Sequence, residues 1–214
     1  MSTSQNPLTG PMRKSFGNVT TVRHGGKNII RSKVYNPWDP KTKKQLLHRH
    51  KFKLLVEAYQ IFRGAIEEGF LVCKKGMTCF NMYISANLSI AFDTTGELPV
   101  INYSRLKLSK GAIPSVNVME SEIGVEGITI RYDTNIDLPK VSATDELTLI
   151  ASLKDDGVIY TRQARGSENT GSMFLKFTDT KAEYVENCYL YVRTADGKKS
   201  SDSVYIQLNT NFTN

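Results

Sequence analysis

Leu147-Thr148-Leu149-Ile150-Ala151-Ser152-Leu153, then Lys154-Asp155-Asp156-Gly157, then Val158-Ile159-Tyr160-Thr161-Arg162-Gln163-Ala164-Arg165: this stretch decides the fold class. Two β-favouring runs flank an Asp-Asp-Gly tip, and Asp-Gly is a strong hairpin signal because both residues tolerate the positive φ of a tight turn. The pattern recurs on both sides. Upstream, residues 116–118 and 127–132 read as strands. Downstream, 173–177, 188–193 and 204–208 do, the last two joined by Ala195-Asp196-Gly197-Lys198-Lys199. Seven short strands from about Pro114, rich in Tyr, Val, Ile and Thr, predict an antiparallel Ig- or fibronectin-III-like β-sandwich over residues 114–214, with a jelly roll as the alternative.

Before residue 93 the period is helical. Leu47, Leu54, Leu55, Ala58, Phe62, Ala65 and Ile66 recur at spacings of three, four and seven, which makes one apolar stripe. Asp39-Pro40 supplies a helix start, an Asp to cap free amides and a Pro suited to the first helical position. Gly64 weakens this helix and Gly69 is its expected end, with a turn at Lys74-Lys75-Gly76. A second helix over 78–92 aligns Phe80, Ile84, Asn87, Leu88 and Ala91. Residues 39–93 therefore predict a helical hairpin of about 30 and 14 residues. Residues 94–113 form a linking segment, with a strand over 100–108. Residues 1–38 read as an extended arm with one hairpin across His24-Gly25-Gly26-Lys27. The fold class is α+β: arm, helical hairpin, sandwich.

Charge follows the same division. Of 214 residues, 40% are hydrophobic, enough for a core, and the net charge is +7. Residues 1–55 hold twelve Lys and Arg against Asp39 alone, a charge of +11, which leaves −4 for residues 56–214. Such asymmetry points to a polyanion or an acidic protein surface as the partner of the N-terminal quarter. The candidate assembly or polyanion contacts are Arg13, Lys14, Arg23, Lys27, Arg31, Lys33, Lys43, Lys44, Arg49 and Lys53. Phe16, Tyr35, Trp38 and Phe52 are too sparse for a single-strand stacking platform. Because basic runs are common on helices, ordinary solvated lysines and docking on acidic subunit surfaces are together favoured over nucleic acid.

Catalytic constellations are not evident. Asp155-Asp156 precedes a Gly and reads as a hairpin tip. Asp133, Asp137 and Asp145 lack the alternating ligand spacing of a calcium loop. Glu120, Glu122 and Glu126 read as a charged sheet edge. His48 and His50 are two apart and face different ways on a helix. Cys73, Cys79 and Cys188 suggest neither a disulfide framework nor a zinc site. No nucleophile-elbow, P-loop, dinucleotide-binding or HExxH motif occurs. Catalytic, cofactor and metal residues are accordingly expected to be none. With no apolar signal region and no run of about 20 apolar residues, the expectation is cytoplasmic synthesis, no membrane, and then incorporation into an assembled particle.

The stretch Gly10-Pro11, Gly17-Asn18-Val19, Ile29-Ile30-Arg31-Ser32, Asp39-Pro40-Lys41-Thr42, Gln45-Leu46, Arg49 and Lys51-Phe52 resembles the signature of an uncharacterised family of Bacteroidetes and their phages or prophages. Tyr103, Leu108-Ser109-Lys110-Gly111, Ala143-Thr144-Asp145, Asp196-Gly197-Lys198 and Ser203-Val204-Tyr205 extend the likeness over most of the chain. Asp39 stands where the family usually has Asn, and the arm carries fewer glycines. The resemblance implies a non-enzymatic structural protein that assembles through its arm, a capsid or tail subunit of a phage-type virion. Its implied partners are copies of itself and other virion proteins. A sequence-nonspecific nucleic-acid-binding protein using residues 13–53 is the alternative, and an adhesion or carbohydrate-binding module a third.

Overall fold

The computed structural model describes residues 2–3, 14–24, 26–36, 38–71, 76–178 and 182–208. They fall into two units, residues 1–42 and 43–214.

In the first unit, β1 (Ser2–Thr3), β2 (Lys14–Phe16), β3 (Val19–His24) and β4 (Lys27–Ser32) form an antiparallel sheet in the order β1-β4-β3-β2. The hairpin expected at 24–27 is present, with His24 opposite Lys27 and Gly26 at φ +78°. A second hairpin was not anticipated. Gly17, at φ +53°, lets β2 fold back on β3, and the Asn18 carbonyl and side chain accept from Lys33 N and the Tyr35 hydroxyl, each at 2.8 Å. The segment read as an arm with one hairpin is thus a four-stranded sheet.

The second unit begins with α1 (Lys43–Ile61), α2 (Arg63–Gly69) and α3 (Cys79–Asn87). The first helix does not start at Asp39-Pro40. Asp39 Oδ1 instead accepts from Lys41 N at 3.3 Å, Lys41 has φ +47°, and this turn is incompatible with α-helix. Nor is it one rod of about 30 residues, because Phe62, at φ −95° and ψ 17°, separates α1 from α2 just ahead of Gly64. Gly69 ends α2 as expected, for a packing reason: a Cβ there would lie 2.5 Å from the Leu108 carbonyl. Thr78 caps α3 by accepting from Asn81 N. That helix is shorter than predicted, since Phe92 leaves it to pair with Ile101 between β5 (Phe92–Asp93) and β6 (Val100–Ile101). The predicted strand over 100–108 stops there. Asn102 Oδ1 accepts from Ser104 N and Oγ and caps a 3₁₀ turn, Tyr103–Arg105.

The remaining strands lie close to their predicted places: β7 (Asn117–Ile123), β8 (Gly127–Asp133), β9 (Glu146–Leu153), β10 (Val158–Ala164), β11 (Thr170–Lys176), β12 (Val185–Arg193) and β13 (Val204–Ile206). They form two antiparallel sheets, ordered β11-β8-β7 and β10-β9-β12-β13. The Asp-Asp-Gly tip turns with Asp156 at φ +61°, and the Ala195–Lys199 loop turns with Gly197 at φ +66°. The protein is α+β and mostly β.

One core lies between the two sheets. Leu147, Leu149 and Ala151 of β9 and Cys188, Leu190 and Val192 of β12 face Ile128, Ile130, Met173 and Leu175. The intervening residues Ile150, Tyr189 and Tyr191 face the other way, into a second core with Leu55, Ala58, Phe62, Ile66, Phe70 and Tyr83 of the helices. The helices, the four-stranded sheet and the three-stranded sheet are therefore three successive layers, and β9 and β12 are buried on both faces. Aromatic edges join the upper layers. Phe62 meets Tyr189 at 5.6 Å and 80°, and the Tyr189 hydroxyl donates to the Tyr103 carbonyl at 2.8 Å.

Candidate functional site

The basic residues are distributed by strand and helix geometry. Side chains alternate across a strand, so partners in register share a face. Lys14, Thr21, Ile30 and Arg23 share one face of the first sheet, while Thr20, Arg31, Val22, Ile29 and Lys27 share the other. Lys33 follows β4, with its ammonium 5.0 Å over the Tyr35 ring. Arg13 lies outside the described residues. In the second unit Lys43, Lys44, Arg49 and Lys53 are exposed on α1, and Lys53 pairs with Glu57 at 3.7 Å. The nine described residues thus do not form one continuous basic face within either unit. Exposed apolar side chains accompany them: Val34, Tyr35 and Trp38 are 71, 62 and 86% exposed.

Several of the acidic groups have structural partners. Asp133 accepts from Asn135 N, Asp155 from Gly157 N, and Glu120 faces Arg131 at 3.4 Å. Asp196 accepts from the Thr194 hydroxyl and from Lys198 N, which hold its carboxyl below the usual range. Among the described residues no group of three or more His, Cys, Asp or Glu side chains converges to hold a metal ion. Cys79 is half-buried and Cys188 is buried, its thiol pushed up to about 12 by desolvation; Cys73 lies outside the described residues. No described helix is long and apolar enough to cross a membrane.

Three arrangements were not read from the sequence. Arg165 is enclosed, donating to the carbonyls of Thr134, Pro114 and Ser115 beside Asp145. Asn87, on α3, donates to the Tyr83 and Lys107 carbonyls and accepts from Lys107 N at 2.7 Å, tying α3 to the segment that follows the 3₁₀ turn. Beside the junction of α1 and α2 lies a cavity of about 220 Å3 bordered by Phe62, Ala65, Ile150 and Val158, with the Glu68–Arg162 pair next to it. One sequence signal pointed that way. Both 147–151 and 188–192 carry bulky groups at odd and even positions, the mark of strands covered on two sides.

No curated protein and no solved structure matches the chain. The arm, helix-start and strand residues that carried the family resemblance fall, from Pro11 onward, within a stretch, residues 11–207, that matches the model of a Family of unknown function (DUF6266), and the chain belongs to that family.

Proposed function

We propose that this protein is a non-enzymatic structural subunit that assembles with copies of itself through residues 1–42. The observation that carries this reading is the character of that unit. It is a sheet of short strands, separate from the double-cored body, and it leads into a segment that exposes Val34, Tyr35 and Trp38. Large exposed apolar side chains supply contact area to a partner, and an open sheet edge can accept a strand from another chain. A phage-type capsid or tail subunit is the concrete form of this proposal, and that step rests on the family resemblance alone.

The finer fold reading belongs here too. Named A, B, C, C′, E, F and G in chain order, the seven strands group as A-B-E and C′-C-F-G, an order that favours an Ig- or fibronectin-III-like sandwich over a jelly roll. That reading says nothing of function, because such sandwiches host many.

The test is size-exclusion chromatography with light scattering on the full chain, on Tyr35→Ser/Trp38→Ser and on a deletion of 1–42. A large species in the full chain that dissociates in both variants is the expected result. A monomer throughout at high concentration sinks the proposal. Nucleic-acid binding has weaker support, since the sheet divides its basic residues between two faces. Its signature is a steep fall in duplex affinity with salt that Lys43→Ala/Lys44→Ala/Arg49→Ala/Lys53→Ala makes shallower.

A further inference from the structure

A groove of about 590 Å3 runs in the second unit between α1, β6 and the tip of the β9–β10 hairpin. Leu54 and Ile61, seven apart, lie on one side of α1, one position back from the Leu55 and Phe62 that enter the core. They are only partly buried. Val100 and Ile101 of β6 and the Tyr103 ring complete the apolar surface, and Val100 is 64% exposed.

Acidic side chains border this groove. Glu57 stands three residues after Leu54 and four before Ile61, so it shares their side of the helix, and Asp156 reaches the groove from the hairpin tip. Burial raises the Tyr103 phenol, and the carboxylates of Glu186, Asp156 and Glu57 raise it further, so three anions act on that ring. No Lys, Arg or His borders the groove among the described residues. Lys53 lies 3.7 Å from Glu57, but an exposed pair of this kind contributes little.

The same chain carries a surface of the opposite character. Residues 1–42 hold seven Lys and Arg against Asp39 alone, a charge of +6. Lys33 and Lys41 flank Trp38, whose indole is 86% exposed, whereas the Tyr35 hydroxyl is engaged by Asn18 Oδ1. A buried indole is a strong anchor at an interface, and complementary charge steers and orients the encounter. We propose that the groove receives the segment around Trp38 of a second copy of the chain, with the indole against Leu54, Val100 and Ile101 and the flanking lysines facing Glu57 and Asp156. This rests on the assembly reading and names the surface that the N-terminal unit meets. A groove on one copy filled by a segment of the next is a head-to-tail contact.

Trp38 is the single tryptophan of the chain, so its emission reports the contact. In the full-length protein the emission is expected to move to the blue as concentration rises, in step with the large species seen by light scattering. Glu57→Lys/Asp156→Asn, which keeps at 156 a residue tolerant of its φ of +61°, is expected to raise the midpoint concentration by about tenfold or more. Val100→Arg takes its place should that variant fail to fold by circular dichroism. Mixing the groove variant with Tyr35→Ser/Trp38→Ser pairs one intact segment with one intact groove. The blue shift is then expected to return, in a species of two chains. A groove variant that assembles as well as the unaltered chain, or a mixture without the shift, overturns this proposal and leaves the assembly reading standing. Blue emission that is the same at every concentration also overturns it, because the indole is then covered within its own chain. A monomer throughout overturns both.

Discussion

Arg165 and Asp145 are joined twice: Arg165 N donates to the Asp145 carbonyl at 2.7 Å, and the buried guanidinium places Nη1 3.6 Å from Asp145 Oδ2. Desolvation lowers the Arg165 pKa, opposed by Asp145 and by its hydrogen bonds. The same guanidinium holds the segments at 114–115 and 134 through their carbonyls. One side chain therefore closes one end of the sandwich, where four stretches of chain converge.

Arg165→Met removes the guanidinium donor from the Thr134 and Pro114 carbonyls and the counter-charge from the buried Asp145 carboxylate, which keeps Ser142 N, and Asp145→Asn leaves the buried cation without its counter-charge. Each is expected to cost about 3–5 kcal/mol. Urea midpoints measure it, and the double variant is expected to cost less than the sum of the two.

Asn87→Ala is expected to lose about 1–3 kcal/mol, because the N–H and carbonyl of Lys107 then lack partners inside the protein. Thermal melting monitors the loss. Hydrogen exchange at Lys107 N–H checks its locality, with faster exchange there than in β9 or β12.

Two glycines separate close approach from conformational freedom. A Cβ on Gly111 would sit 1.8 Å from the Ser200 carbonyl, whereas one on Gly124 meets nothing nearer than 3.8 Å. Gly111→Ala is expected to destabilise by about 1–3 kcal/mol. Gly124→Ala is expected to be neutral or to stabilise by up to about 1 kcal/mol, through the unfolded chain. Denaturant titration of the pair side by side checks the contrast.

Stability is expected to fall in alkali. Burial raises Cys188 and Tyr191 to about 12, and Tyr83 and Tyr189 higher, above the ordinary 9.0 of a thiol and 10.0 of a phenol. As pH rises past 9 the unfolded chain loses these protons first, so the native state loses relative stability. The contribution is whole below pH 9 and disappears as pH climbs through the folded values. Denaturant midpoints from pH 7 to 11.5 are expected to be level at first and then to drop, by up to about 1.4 kcal/mol per pH unit for each group titrating in the unfolded chain.

Much of the second unit was legible because its signals are short-range. The turns at Asp155-Asp156-Gly157 and Ala195–Lys199, and the alternation in the strands they join, depend on neighbours a few residues apart, and the structure keeps them. The stripe through Leu55, Ala58, Phe62 and Ile66 was legible for the same reason. The strand expected over 100–108 failed because Asn102, a capping side chain, outweighed the β-favouring residues around it. The helix start failed because Asp39 used its carboxylate in a turn two residues on.

From the sequence alone came the seven strands, the helical stripe, the +11 quarter and the family likeness, all properties of local pattern or composition. Tertiary structure alone decided what lies against the two faces of β9 and β12, and that Arg165 is enclosed with Asp145. It alone buried Thr148 and Tyr191 side by side beneath the helices. These depend on which surfaces meet across long stretches of chain, as when the Ser200 hydroxyl reaches the Gly69 carbonyl at 2.7 Å across 131 positions. Periodicity shows that a face is apolar or charged; packing determines what lies against it.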